Sequence, residues 1–188
     1  MFKQARRVAK SLMTSLRKSS DRSDLGRWKN PENLSAKWDS RTARMGALVA
    51  AGDSVLEFGA GRMVLRNHIP QSCSYTPSDI VDRGPGTVVC DLNGPLPCFA
   101  PHDVAVFSGV LEYVNNVPRL IEHLAGAVNA VVASYAIVES NQDDRRSHGW
   151  VNDFTSEQLL QIFARAGFSC DHEETWNTQK IFRFVRGR

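Results

Sequence analysis

Residues 54–63 read SVLEFGAGRM, an apolar run entering a glycine-rich turn, with Glu57 two places before the first glycine. Gly59-Ala60-Gly61 lets the backbone turn sharply, and bare glycines let a ligand lie close to main-chain N–H groups at the start of the next element. Two further carboxylates close short stretches downstream, Asp79 in YTPSD and Asp91 in VVCDLN. Asp79 lies 22 positions past Glu57, where a nucleoside-binding sheet places an acid to accept from ribose hydroxyls. Turn chemistry is the competing account of Asp79 after Pro77-Ser78 and, more strongly, of Asp91 ahead of Gly94-Pro95. The glycine turn with its preceding acid points to a bound adenosine cofactor.

Other chemistry-bearing residues cluster later in the chain. The segment VAVFSGVLEYV, residues 104–114, reads as a buried strand leading into Ser108, Gly109, Glu112 and Tyr113. The polar stretch from Asn141 to Asp153 carries Arg145, Arg146, His148, Trp150, Asn152 and Asp153. His148 is the natural general base there, since imidazole titrates near neutrality, although a lone histidine in a polar loop also serves as an ordinary surface residue. Arg145 and Arg146 suit an anionic acceptor or a solvated surface. A nicotinamide-type GxGxxG fingerprint would need glycine at 64, and that residue is Val64.

These residues need a scaffold, and the pattern supplies one. We read a helix over 36–50, a strand from Ser54, a helix near 62–68, strands near 74–76, 87–90 and 103–108, and a helix over 118–125. A strand at 130–135, a helix from Thr155 to Ala166 and two late strands near 168–173 and 180–185 follow. Alternation of strand and helix predicts an α/β fold, a doubly wound and mainly parallel sheet covered on both faces, and the two closely spaced last strands predict an antiparallel hairpin. Thr155 with Gln158 forms a capping box, and Gly167 closes that helix.

The composition, 42% hydrophobic and 23% charged over 188 residues, is that of one globular domain. No apolar run approaches the roughly 20 residues that a membrane-spanning helix needs. Cys73, Cys90, Cys98 and Cys170 are widely spaced, without a CxxC pair or a metal-site cluster, which predicts reduced thiols in a cytoplasmic setting. The net charge of +3 is uneven: nine basic residues face Asp21 and Asp24 in the first 30 positions, while the remainder has 14 Lys/Arg against 18 Asp/Glu. A mildly acidic body makes nucleic acid a poor partner. We therefore divide the chain into a basic extension, 1–34, and a domain, 35–188. In the extension Phe2, Ala5, Ala9, Leu12 and Leu16 fall on one helical stripe among Lys and Arg. Three roles remain open for residues 1–30: a solvated, partly disordered arm, peripheral contact with an anionic membrane, or mitochondrial targeting.

Over about residues 36–186 the chain resembles the class I S-adenosylmethionine-dependent methyltransferases. The family's ExGxGxG motif is matched by Glu57, Gly59 and Gly61, with Met63 in place of the third glycine. The resemblance implies a seven-stranded Rossmann-like sheet and S-adenosyl-L-methionine as cofactor, with Glu57, Gly59, Ala60 and Gly61 at the first turn. It further implies Asp79 at the ribose, Asp91 and Leu92 at the adenine, and Ser108 and Gly109 beside the methionine portion and methyl group. Two departures are expected: the link from Ile80 to Gly86 is too short for the family's usual helix, and no added substrate domain is present. The implied activity is methyl transfer to a small-molecule, sugar or lipid-linked acceptor; a protein acceptor and a non-catalytic methyltransferase-like scaffold are the alternatives.

Overall fold

The structure is a computed structural model that describes residues 2–141 and 144–187, and the backbone alone for 2 and 3. Its strands are β1 (Ser54–Phe58), β2 (Ser74–Asp79), β3 (Val88–Val89), β4 (His102–Phe107), β5 (Val128–Tyr135), β6 (Phe168–Trp176) and β7 (Gln179–Arg186). Among the described residues they form one seven-stranded sheet in the order β3-β2-β1-β4-β5-β7-β6. The first five run parallel, and β7 enters antiparallel between β5 and β6. This is the predicted α/β sheet with its C-terminal hairpin. The helices are α1 (Phe2–Ser19), α2 (Leu25–Lys29), α3 (Asp39–Gly46), α4 (Val117–Leu124) and α5 (Ser156–Arg165).

Alternate residues of the central strands feed two apolar layers, as the two-residue strand period requires. Leu56, Phe58, Ala105, Phe107, Val131 and Ala133 face one layer, completed by Leu120, Ile121 and Leu124 of α4 and by Leu159 and Phe163 of α5. Val55, Val104, Val106 and Val132 face the other, against Met45 of α3, Val49 in the turn beyond it and Leu65. Register then sets the height of the strand ends. Phe58 lies beside Ser78 and Phe107, and Asp79 beside Val89. The residues that follow β1, β2 and β4 therefore emerge at one edge.

Three local expectations are corrected. The continuous helix over 36–50 is a 3-10 turn, Ala36–Trp38, followed by α3, which ends at Gly46. Gly46 is pressed against the backbone of the 64–67 turn's end: a Cβ there would stand 2.6 Å from the His68 carbonyl oxygen. The expected α-helix over 62–68 is a 3-10 turn, Val64–Asn67, because Met63 takes the left-handed conformation at φ 55° and breaks the helical path before it starts. Phe2–Ser19 is an ordered helix lying on the Arg145–His148 turn, which departs from the partly disordered arm among the roles left open for this segment. The short link between β2 and β3 carries no helix, as its length predicted. Thr155 and Gln158 form the reciprocal capping box at the start of α5.

Met63 therefore occupies, in a conformation that suits glycine, the place where the resembled motif has its third glycine. A side chain there costs about 1–2 kcal/mol, whereas glycine inside a true helix would cost about 1 kcal/mol. Met63→Gly is expected to raise Tm, by up to about 2–4 °C for a chain of this size. A fall in Tm, measured by calorimetry, would contradict the left-handed turn.

Candidate functional site

At the carboxyl edge of β1, β2 and β4 lies an open cleft of about 1220 Å³ with its mouth counted. Glu57, Gly59, Ala60, Gly61, Asp79, Asp91, Leu92, Ser108 and Gly109 all line it. Nine residues scattered over 53 positions of sequence thus meet in one depression, because parallel strands deliver their ends to the same side.

The glycine turn is tight for steric reasons. Gly59 and Gly61 have φ of 66° and 53°, and a Cβ on Gly59 would stand 2.5 Å from Val110 Cγ2. The turn's N–H groups are used differently from the expectation that a ligand would take them. Ala60 N donates to the Ser78 carbonyl at 3.1 Å, and Gly61 N donates to Asp79 Oδ2 at 2.9 Å. They fasten the turn to β2.

Asp79 is consequently a junction. Its Oδ1 accepts from Val81 N at 3.3 Å and from Arg83 Nη2 at 3.1 Å, in an ion pair of two nearly buried side chains. Arg83 Nη2 also donates to the Trp28 carbonyl at 2.7 Å, tying the N-terminal segment to the site. Asp91 Oδ1 likewise accepts from Ser23 Oγ at 2.6 Å and from Asn93 N at 3.0 Å. Ser23, Trp28 and Leu34, on the N-terminal side of the expected boundary at residue 34, form part of the cleft wall.

Arg41 is the main residue that sequence reasoning missed. Its side chain reaches across from α3, with Nη2 donating to the Ser108 carbonyl at 2.9 Å and Nη1 to Gln179 Oε1 at 2.8 Å. A Cβ on Gly109 would stand 2.6 Å from this guanidinium, so only glycine lets Arg41 lie there. The sequence offered one signal, a charged residue at helical spacing between Trp38 and Met45 on a face that must otherwise be apolar. Across the cleft Glu112 is fully buried; its Oε1 accepts from Ala136 N at 2.8 Å, while Oε2 has no partner among the described residues. Burial pushes its pKa up, against the opposing pull of Arg41 and Arg145.

Burial also pushes Glu57 up to about 8, with the nearby Asp79 charge adding to the rise and the donating Tyr75 hydroxyl opposing it. The cleft is thus lined by five carboxyl groups, Asp39, Glu57, Asp79, Asp91 and Glu112, against Arg41, Arg62 and Arg83. Asp39 pairs with Arg62 and Asp79 with Arg83, and a protonated Glu57 adds no charge near neutral pH, so anionic and cationic groups in the cleft are close to balance.

The loop after β5 is arranged otherwise than expected. Arg145 is buried and turned inward, donating to the Ala136 carbonyl at 2.7 Å, the Asn152 carbonyl at 3.2 Å and Asp153 Oδ1 at 3.0 Å. Arg146 pairs with the same Asp153. Both cations brace the loop. Asn152 is buried as well, donating to the Leu111 and Val114 carbonyls at 2.7 and 2.9 Å. His148 does not line the cleft: its ring is exposed and stacks on Trp150 at 4.9 Å, and it is Trp150 whose side chain reaches the cleft. Gln142 and Asp143 of this loop lie outside the described residues.

A family model described as "Methyltransferase domain" matches residues 31–173. The chain belongs to this methyltransferase family. No curated protein matches it. Among solved structures it is similar to the 1,6-didemethyltoxoflavin-N1-methyltransferase of Burkholderia thailandensis, at 16% identity and TM-score 0.63, covering 81% of this chain and 79% of that one. It is similar also to magnesium protoporphyrin IX methyltransferase from Synechocystis, at 17% identity and TM-score 0.59, covering 80% of this chain and 82% of that one. Both were solved with S-adenosylhomocysteine bound. Against CalO1, a methyltransferase in calicheamicin biosynthesis, the identity is 22% and the TM-score 0.64, covering 83% of this chain but only 55% of CalO1. At these identities the likeness establishes the shared Rossmann-like fold.

Glu57 gives the site a pH signature. The folded protein holds a proton that the unfolded chain releases near 4.5. This contribution to stability is present in full below about 4.5 and is lost as pH rises through about 8. In Glu57→Gln, which keeps an acceptor for Tyr75, Tm should decline less between pH 6 and pH 9 than in the wild type. Parallel Tm profiles would contradict the raised pKa.

Proposed function

We propose that this methyltransferase transfers the methyl group of S-adenosyl-L-methionine to a small-molecule acceptor, a class in which we include sugars and lipid-linked compounds. The observation that carries the reading is the convergence of the glycine turn, Asp79, Asp91 with Leu92, and Ser108 with Gly109 on one cleft in a chain of this family. The cleft's own chemistry fits the group. The guanidinium of Arg41, buried beside Ser108 and Gly109, is placed to meet a ligand carboxylate. Glu112 Oε2 has no partner among the described residues and is free to meet a polar group of the ligand.

Residue roles follow from position. Gly59 and Gly61 keep the floor of the cleft free of side chains. Asp79 holds the ribose, using acceptor capacity beyond the three protein hydrogen bonds it already receives. Leu92 offers an apolar face to the adenine, with Asp91 at its edge. When bound, S-adenosylmethionine supplies an already activated methyl group, so the protein's task is to align a nucleophile and exclude water. Trp28, Trp38, Tyr113 and Trp150 wall the cleft with aromatic rings, which suits a planar ring system or the flat face of a sugar. His148 would act as base only if the loop carried it past Trp150. We therefore expect His148→Ala to retain methyl transfer within a few-fold, whereas a loss of about 10²-fold or more would assign it general-base catalysis.

Two observations favour a second reading, a scaffold that binds partners without methyl transfer: Arg83 occupies one Asp79 oxygen, and the Ala60 and Gly61 N–H groups are spent on β2. Isothermal titration separates the readings. S-adenosylmethionine and S-adenosylhomocysteine are expected to bind at micromolar strength, and Asp79→Ala to weaken both by at least about tenfold, the loss of one charged hydrogen bond or more. No heat of binding at millimolar ligand would favour the scaffold, and unchanged affinity in Asp79→Ala would remove the ribose assignment.

A further inference from the structure

Helix α1 is docked the opposite way round from an ordinary surface helix. At about 100° per residue, Ala5, Val8, Ala9, Leu12, Met13 and Leu16 share one arc, while Arg7, Ser11, Thr14 and Lys18 share the opposite one. It is the polar arc that meets the body. Ser11 Oγ donates to Asp144 Oδ1 at 2.7 Å, Arg7 pairs with Asp144 at 3.5 Å, and Thr14 is buried. Val8, Leu12, Met13 and Leu16 point away, with 54%, 61%, 50% and 63% of their surfaces exposed. An amphipathic helix on a globular protein normally turns its apolar stripe to the core. The body gains nothing from this stripe.

The charge beside the stripe selects what covers it. α1 contains no acidic residue, and Arg6 and Lys10 stand exposed along one border of the apolar arc. A stripe of Leu, Val and Met bordered by cations is complementary to an anionic lipid surface, where the apolar side chains enter the acyl boundary and the cations meet phosphate. A second copy of this chain would bring two rows of cations together and suffer their repulsion. We propose that the outward face of α1 binds an anionic bilayer while its polar face remains on the body. Membrane attachment then holds the domain in a fixed attitude, because the short link leaving α1 at Ser19 runs to Ser23, whose hydroxyl is bonded to Asp91 in the cleft. None of these contacts is altered by occupying the exposed face. Among the described residues, none of α1 lines the cleft, so this attachment stands independently of methyl transfer.

The test is co-sedimentation of the full chain with vesicles of phosphatidylcholine alone and of phosphatidylcholine mixed with phosphatidylglycerol. The wild type is expected to pellet with the mixed vesicles, not with the neutral ones, and to be released as salt is raised. The double variant Leu12→Glu/Leu16→Glu should lose this binding by at least about tenfold while keeping the wild-type Tm, since both side chains are exposed. Asp144→Ala, which weakens the dock and leaves the stripe intact, should still bind. Failure to pellet with anionic vesicles, equal binding to neutral ones, or undiminished binding by the double variant would overturn the proposal. So would a dimer in solution that the double variant dissolves, which would assign the face to a second copy.

Discussion

The Asp79 carboxylate is the point on which the site's architecture depends. It receives the Gly61 N–H from the turn after β1, the Val81 N–H from its own turn and the guanidinium of Arg83, which in turn holds the Trp28 carbonyl. One charge thus joins two parallel strands and the N-terminal segment. An ion pair buried to this degree costs several kcal/mol of desolvation per ion, and that cost is offset only by well-made hydrogen bonds. Four hydrogen bonds on this pair contribute to that, while Arg83 Nε has no partner among the described residues. The shortness of the link between β2 and β3 then follows a physical logic, because Arg83, four residues past Asp79, can reach back to it without an intervening helix.

The rest of the cleft repeats the same strategy of buried polar groups held by specific partners. Arg41 is placed by Ser108 and Gln179, and the missing side chain of Gly109 makes room for it. Arg145 and Asn152 brace the loop that presents Trp150, through contacts to the Ala136, Leu111 and Val114 carbonyls. The N-terminal segment closes the far side through Ser23 and Trp28, the latter set edge-on to Tyr113 at a centroid distance of 4.9 Å. Catalytic families of this kind ask the protein for position and dryness, and the polar groups here are spent on position.

Much of this was legible in the chain. The strand order's parallel core follows from continuous apolar runs such as VAVF at 104–107, which only a two-sided burial explains. The capping box at Thr155 and the absence of a helix after Asp79 follow from short-range chemistry. The residues of the glycine turn, Asp79, Asp91 and Ser108 are brought to one cleft because strand ends are fixed by register. What was hidden depended on long-range contact. Arg41 lies 67 residues before Ser108, and no local pattern relates them. Met63 read as a helical residue because its left-handed φ is imposed by the turn on either side. Arg145 read as a cation for an anionic acceptor or for solvent because most of its acceptors are main-chain carbonyls, which every sequence contains. For α1 the stripe was visible, but only the dock through Asp144 reveals that the stripe faces outward.

The central claim is that the carboxyl edge of β1, β2 and β4, closed by the N-terminal segment, holds S-adenosylmethionine. Hydrogen exchange of the full chain with and without S-adenosylhomocysteine tests it most directly. The account predicts slowed exchange confined to the turns after β1, β2 and β4, the Asp91 turn and the segment from Ser23 to Thr42. Unchanged exchange in these turns at saturating ligand, or protection located elsewhere on the fold, would contradict it.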